Sequence, residues 1–509
     1  MTHNKLITVL LIALLLASFG TIQSQSNPKR EFRGAWIHVI GQSQYANMTA
    51  EEIKTYLTKS LDELQAQGLN AIIFQVRPCA DALYMSDIEP WSRYLTGIQG
   101  EAPEHNFDPM EFMIRECHER SMEFHAWLNP YRVTASENDV LHSSHVYHDN
   151  KEWFVKYGKQ IYFDPGVPAS KNHIKKIVRD IVSRYDIDAI HMDDYFYPYP
   201  IAGQAFPDDI SFLRYAKVQG FSSEQRDDWR RNNVNQLVKE IKETIVSVKP
   251  WVRFGISPFG IYRNAQSTPD KSGSKTNGLQ NYDDLYADVK LWVEREWIDY
   301  NIPQIYWEIG HKAADYETLI KWWSRNNYGA HLYIGQDVGR TAKARDTKNP
   351  KRNQLTQKME LERSLPAVYG NCFWPAYALI KNTGSIGDSL KANYHKTPAL
   401  IPPYLHMHHK QPKEIKDLKT SWTDRGYLLH WKRNGEVTKP ENAQYFVVYR
   451  FRKNENKNLD DASKIVEITN KTSYTLPYNG GKEKFNYVVT SVDRFHNESK
   501  KGKQKTIKL

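Results

Sequence analysis

From Phe32 to about Asn393, short apolar runs alternate with amphipathic stretches, and this alternation constrains the fold more than any other feature of the chain. Eight runs read as strands: Arg33–Ile40, Ala71–Pro78, Glu123–Pro130, Ala189–Tyr195, Arg253–Gly260, Ile302–Ile309, His331–Gln336 and Gly370–Ala376. Helix-like segments lie between them, among them Thr49–Gln67, Pro109–Arg120, Asn172–Tyr185, Asp228–Val248 and Asp284–Glu296. Strand–helix alternation sustained over this length is what a parallel (β/α)₈ TIM barrel requires. The competing fold, an open doubly wound sheet, normally carries a glycine-rich phosphate turn after its first strand. The residues after Ile40 hold no such turn.

A Pro-containing stretch, 398–412, ends this pattern and reads as a linker. Beyond it, residues 413–509 form short alternating strands separated by turn residues: Tyr427–Lys432, Tyr445–Phe451, Ser473–Leu476 and Phe485–Val492. No long amphipathic helix interrupts them, which predicts an all-β, immunoglobulin-like sandwich. At the other end, Lys5, the apolar run Leu6–Ala17 and the small or polar residues through Ser26 read as a cleavable signal peptide over 1–26. The apolar run is shorter than the roughly 20 residues of a membrane span, so no stable span is expected after its removal. No cysteine follows it, so lipid attachment is not expected. The expectation is a periplasmic, secreted or cell-surface protein with a barrel over 31–397.

Cys79, Cys117 and Cys372 are widely spaced and odd in number, which gives neither a disulfide framework nor a zinc pattern. The net charge of +10 suits an anionic polymer, but nucleic-acid motifs are absent, and the lysines at 500–508 read as a solvated edge. Aromatic residues make up 13% of the chain, which serves sugar stacking and core filling equally well. No cofactor and no metal is called for, because the His125 and "HMDD" spacing is unspecific.

Barrel enzymes work at the carboxyl ends of their strands, and side chains alternate along a strand, so phase identifies residues that point together. Gln75 pairs with Arg77, His125 with Asn129, and Gln304 with Glu308, while His191 shares a face with Asp193 and Tyr195. Each residue alone is equally well read as a satisfied core hydrogen bond. Four polar pairs at one end of a barrel suggest a site, since buried polar groups are costly unless paired. Glycoside hydrolysis commonly uses two carboxyl groups. Asp193 with Glu308 across the mouth is the favoured pair; Asp194, adjacent on the strand, diverges from Asp193 and reads as an orienting or substitute group. Asp164, in "YFDPG", is a further candidate. Tyr195, Tyr197, Trp307 and Trp374 follow or end strands and form an expected sugar platform.

The blocks "FRGAWI", "FQVRPCADALY", "HAWLNPYR", "DAIHMDDYFYP", "WRRNNVNQLV", "FGISPFGIYRN", "YDDLYADVKLWV", "DYNIPQIYW" and "LYIGQ" resemble glycosyl hydrolase-like family 10 over about residues 31–395. The resemblance implies a barrel enzyme acting on glycans, with peptidoglycan strands lacking stem peptides the best-known substrate. It places Arg77, His125, Asn129, Arg132, Asp193, Asp194, Tyr195 and Trp307 at the site, and gives Glu308 no family counterpart. The pieces "YLLHWKR", "YFVVYRF" and "TSYTLP" resemble a fibronectin type III domain, which implies a spacer or a glycan-facing adaptor. The expectation is therefore an exported glycoside hydrolase of a cell-wall glycan, with its sandwich dispensable for chemistry. Two alternatives stay open: another bacterial, host or dietary glycan, O-glycans included, or a glycan-binding barrel without catalysis.

Overall fold

The computed structural model describes residues 27–407 and 410–509; the expected signal peptide lies outside them. Ten strands precede residue 375: β1 (Phe32–Ile37), β2 (Ala71–Arg77), β3 (Glu123–Leu128), β4 (Phe154–Tyr157), β5 (Gln160–Phe163), β6 (Ala189–Met192), β7 (Arg253–Ile256), β8 (Tyr300–Asn301), β9 (His331–Asp337) and β10 (Val368–Trp374). Strands β4 and β5 form an antiparallel hairpin inserted after β3. The other eight close a parallel barrel, with β1 between β2 and β10.

Sequence explains the helices around it. Thr49 and Glu52 form a reciprocal capping box that starts Ala50–Ala66, and Asp108 caps Pro109–Glu119 with proline in its first turn. In Pro168–Arg184, Ile174, Ile177, Val178 and Ile181 recur on one buried face, which fixes that helix against the strands. Alternation along the strands then divides the apolar residues. Phe124, Ala126 and Leu128 join the layer between strands and helices, while Trp127, Ala71, Ile73, Ala189 and Tyr300 fill the barrel interior.

One predicted strand is corrected. The sixth is Tyr300–Asn301, not Ile302–Ile309; Pro303 lacks the N–H a ladder needs, and only two isolated bridges at Gln304, to Phe259 and to Gly335, continue the pairing. Gly255 on β7 faces the Tyr300 ring, where a Cβ would come within 2.0 Å, so a larger residue would push that ring off the barrel axis.

The C-terminal part is an antiparallel sandwich of β11 (Lys416–Thr423), β12 (Gly426–Lys432), β13 (Tyr445–Arg452), β14 (Ile465–Thr469), β15 (Ser473–Thr475), β16 (Lys484–Val492) and β17 (Lys503–Lys508). A three-stranded sheet, β11–β12–β15, packs on a four-stranded one, β14–β13–β16–β17, over Leu429, Trp431, Phe446, Val448 and Val489. The sandwich docks at the amino end of the barrel. His496 meets Glu123 at 2.7 Å, Arg494 pairs with Asp186 at 2.6 Å, and Asn470 donates to the His118 carbonyl at 3.0 Å. Residues 399–401 are buried, so the start of the expected linker packs between the two parts.

Candidate active site

A cavity of about 880 Å³ opens at the carboxyl ends of the barrel strands. Its floor holds Asp193, Trp127 and Gln75, and its walls carry His38, Arg132, Tyr195, Tyr199 and Trp374, with Tyr157, Gln160 and Tyr162 from the β4–β5 hairpin. Asp193 directly follows β6 and is 3% exposed. Trp127 donates its indole N–H to Oδ2 at 3.1 Å, and Asn129 donates its amide to Oδ1 at 3.1 Å. The Asn129 side-chain oxygen, Oδ1, in turn accepts the backbone N–H of Arg132 at 2.9 Å. Asn129 therefore ties the carboxylate to the loop that carries Arg132, a cation of the cavity wall. The Arg132 guanidinium lies 4.4 Å from the Tyr195 ring centre, and Tyr195 stacks on Tyr199 at 5.3 Å.

Burial pushes the Asp193 carboxyl above its ordinary value, and Arg132 opposes that rise. Asp194 is pushed up to about 6, first by burial and then by the charge of Asp193. The Tyr199 hydroxyl donates to its Oδ2, so Asp194 sits behind a ring that lines the cavity. Burial lowers His38 to about 4, leaving a neutral imidazole in the cavity wall 4.4 Å from the Trp374 ring.

Beneath the floor runs a column of buried polar groups. His191 bonds the Ser257 hydroxyl at 3.0 Å and the Tyr300 hydroxyl at 3.2 Å, and Tyr300 meets His125 at 2.8 Å. His125 reaches Glu123 at 2.9 Å, and Arg253 also pairs with Glu123. His125 and His191 are both fully buried, and burial lowers both pKa values. Their phase is as expected, but they occupy lower layers of the barrel than the cavity.

Other expected residues fall away from the cavity for identifiable reasons. The register shifts between Gln75 and Arg77, so the pair does not share a face. Gln75 stays inside and accepts from the backbone of Val39, whereas Arg77 forms a buried ion pair with Glu89 at 2.6 Å. Glu308 is half-buried near Lys358, outside the lining of the Asp193 cavity. Trp307 packs edge-on against Phe259, and Lys358 donates to its carbonyl at 2.9 Å. Tyr197 is 1% exposed and wedged against Phe206 and Tyr286, so it fills the core rather than serving as a platform. Asp164 is buried and accepts the Gly166 N–H at 2.8 Å; burial raises it to about 6. Gln75, from the expected Gln75–Arg77 pair, does line the cavity, and Trp127, His38, Tyr162, Tyr199 and Glu137 line it as well, although the sequence reading did not name them. Trp127 was legible, since it stands in phase between His125 and Asn129.

A (β/α)₈ barrel with a buried carboxylate among aromatic rings at its carboxyl end is the architecture of a barrel glycosidase, and this protein is a glycoside hydrolase. It belongs to the glycosyl hydrolase-like 10 family, whose model matches residues 31–352. It is 40% identical to glycosyl hydrolase YngK of Bacillus subtilis, over 99% of both chains. Glycosyl hydrolase DigH of Escherichia coli K12 is 35% identical, covering 69% of this chain and 83% of that one. Among solved structures, the glycoside hydrolase domain of PgaB (BpsB) from Bordetella bronchiseptica is 12% identical with a TM-score of 0.48, covering 71% of this chain and 99% of that one.

Proposed function

We propose that this enzyme is exported by its leader and cleaves glycosidic bonds in peptidoglycan strands whose stem peptides have been removed, with Asp193 as the carboxylate at the reacting centre. One observation carries the reading: Asp193 shares its cavity with both aromatic faces and a cation. Tyr195 and Trp374 suit the faces of pyranose rings. Arg132 suits a sugar that bears a carboxylate, as N-acetylmuramic acid does once its peptide is gone. The ionised Asp193 attacks or stabilises the oxocarbenium-like centre. A second carboxyl group protonates the leaving oxygen. Asp194, whose raised pKa keeps it protonated to about 6, fits this role better than Glu308: the Tyr199 hydroxyl passes its proton to the leaving oxygen as its oxygen takes the proton of Asp194, which is left as the carboxylate. The C-terminal sandwich is read as fibronectin type III-like.

The test is incubation with purified sacculi before and after amidase treatment, with mass spectrometry of the products. Release of saccharides only from treated sacculi, and none by Asp193→Asn, is the expected result. Turnover of another glycan but not of treated sacculi would reassign the substrate.

A further inference from the structure

The sandwich carries a second aromatic surface, far in sequence from the catalytic cavity. Trp422 at the end of β11 stands opposite Tyr427 at the start of β12. Their rings stack at 4.7 Å and 17°, and Tyr478 closes edge-on against Trp422 at 4.8 Å. Trp422 is 61% exposed and Tyr478 47% exposed. Large aromatics held against one another in solvent contribute little to a core and mark a binding surface.

Charge is segregated to the same part of the chain. Residues 413–509 hold 21 Lys and Arg against 12 Asp and Glu, a net of +9 within the chain's +10. The barrel part is thus nearly neutral, and the sandwich brings almost all of the attraction for a polyanion.

We propose that the Trp422–Tyr427–Tyr478 platform is a binding site for a glycan strand bearing carboxylates, and holds the enzyme on the polymer that its barrel cuts. The flat ring faces take the C–H faces of a pyranose, and the net positive charge of the sandwich draws in the acidic groups. This rests on the reading of the substrate as such a glycan, but not on the assignment of Asp193. The sandwich docks at the amino end of the barrel, so the platform acts as an anchor separate from the cavity.

The experiment is a co-sedimentation assay of the full-length protein with amidase-treated sacculi and with uncharged chitin, across a salt series. Turnover of a short soluble fragment is measured alongside. Trp422→Ala with Tyr478→Ala should weaken retention on sacculi about tenfold or more, roughly a 1.4 kcal/mol change, and leave short-fragment turnover unchanged. Wild-type retention should fall with salt and be weaker on chitin. Retention unchanged in the double variant overturns the proposal. So does equal retention on single-stranded DNA, or a wild-type dimer that the double variant dissolves. Loss of turnover on every glycan with retention intact would sink the proposed function and leave the platform standing.

Discussion

The cap at the amino end of the barrel is open to a quantitative test. Glu123 is 2% exposed and accepts from Arg253, from His125 at 2.9 Å and from His496 at 2.7 Å, with the Tyr404 hydroxyl at 3.4 Å. Burial works against this charge, but Arg253 and then His496 hold the carboxyl well below its ordinary value. Such a group stabilises the fold above its unfolded-state pKa, and this contribution is lost as pH falls through its folded one. His496→Ala removes one donor to a buried charge, about 1.5–3 kcal/mol, and a ring packed 5.5 Å from Tyr404. Together these predict a loss of about 2–4 kcal/mol. Urea unfolding followed by tryptophan fluorescence at neutral pH should show this as a lower midpoint with an unchanged slope. His496→Gln, which keeps a donor, should recover part of it. A chain ending near Pro398 should lose more, because Glu123 and Arg253 would face water at an uncapped barrel end. The reasoning fails if His496→Ala, or the shortened chain, unfolds at the wild-type midpoint.

Three further outcomes concern the cavity. Asp193→Asn should lower kcat about 10³-fold or more with a melting-temperature loss worth only about 1–3 kcal/mol, since its new NH₂ must face the Trp127 or Asn129 donors; native-like turnover of treated sacculi would remove Asp193 from the chemistry. The pH profile of kcat/KM should fall on the alkaline side near 6, where Asp194 loses its proton; Tyr199→Phe, which removes a bond to the ionised form, should move that limb upward, and an unmoved limb would show that another group sets it. Trp374→Ala should raise KM with little change in stability, whereas Tyr197→Ala should cost about 3–5 kcal/mol and leave the kinetics of the folded fraction intact.

Phase along single strands was legible in the sequence, and phase across elements was not. Alternation on β3 and β6 correctly groups His125 with Asn129 and His191 with Asp193, because both segments hold regular pairing in the barrel. The same alternation would have delivered Trp127, and its indole N–H is a polar end that a count of charged and amide groups passes over. Arg77 fails because the register shift after Gln75 turns it outward, and a bulge leaves no mark in composition. Glu308 fails because β8 stops at Asn301, so no strand phase links it to Gln304. Glu123 and His496 are 373 residues apart, and no local pattern brings such a pair together.

Buried polar groups stand at both ends of this barrel, so their presence alone does not locate the site; what answers each carboxylate does. Glu123 faces the full charge of Arg253 and donors from three other side chains, and its pKa is driven down. A carboxylate so compensated gains little from a further cation. Asp193 is held by the neutral indole of Trp127 and the amide of Asn129, with Arg132 acting without a direct bond to it, and its pKa is driven up. Its charge is fixed in position but only partly balanced, in a cavity that burial has made weakly screening. The group that gains most from a positive centre developing above it is therefore Asp193, and the sugar oxocarbenium ion supplies such a centre at the transition state. The same residue type thus caps one end of the barrel and does chemistry at the other, and the neighbours of each carboxylate set the difference.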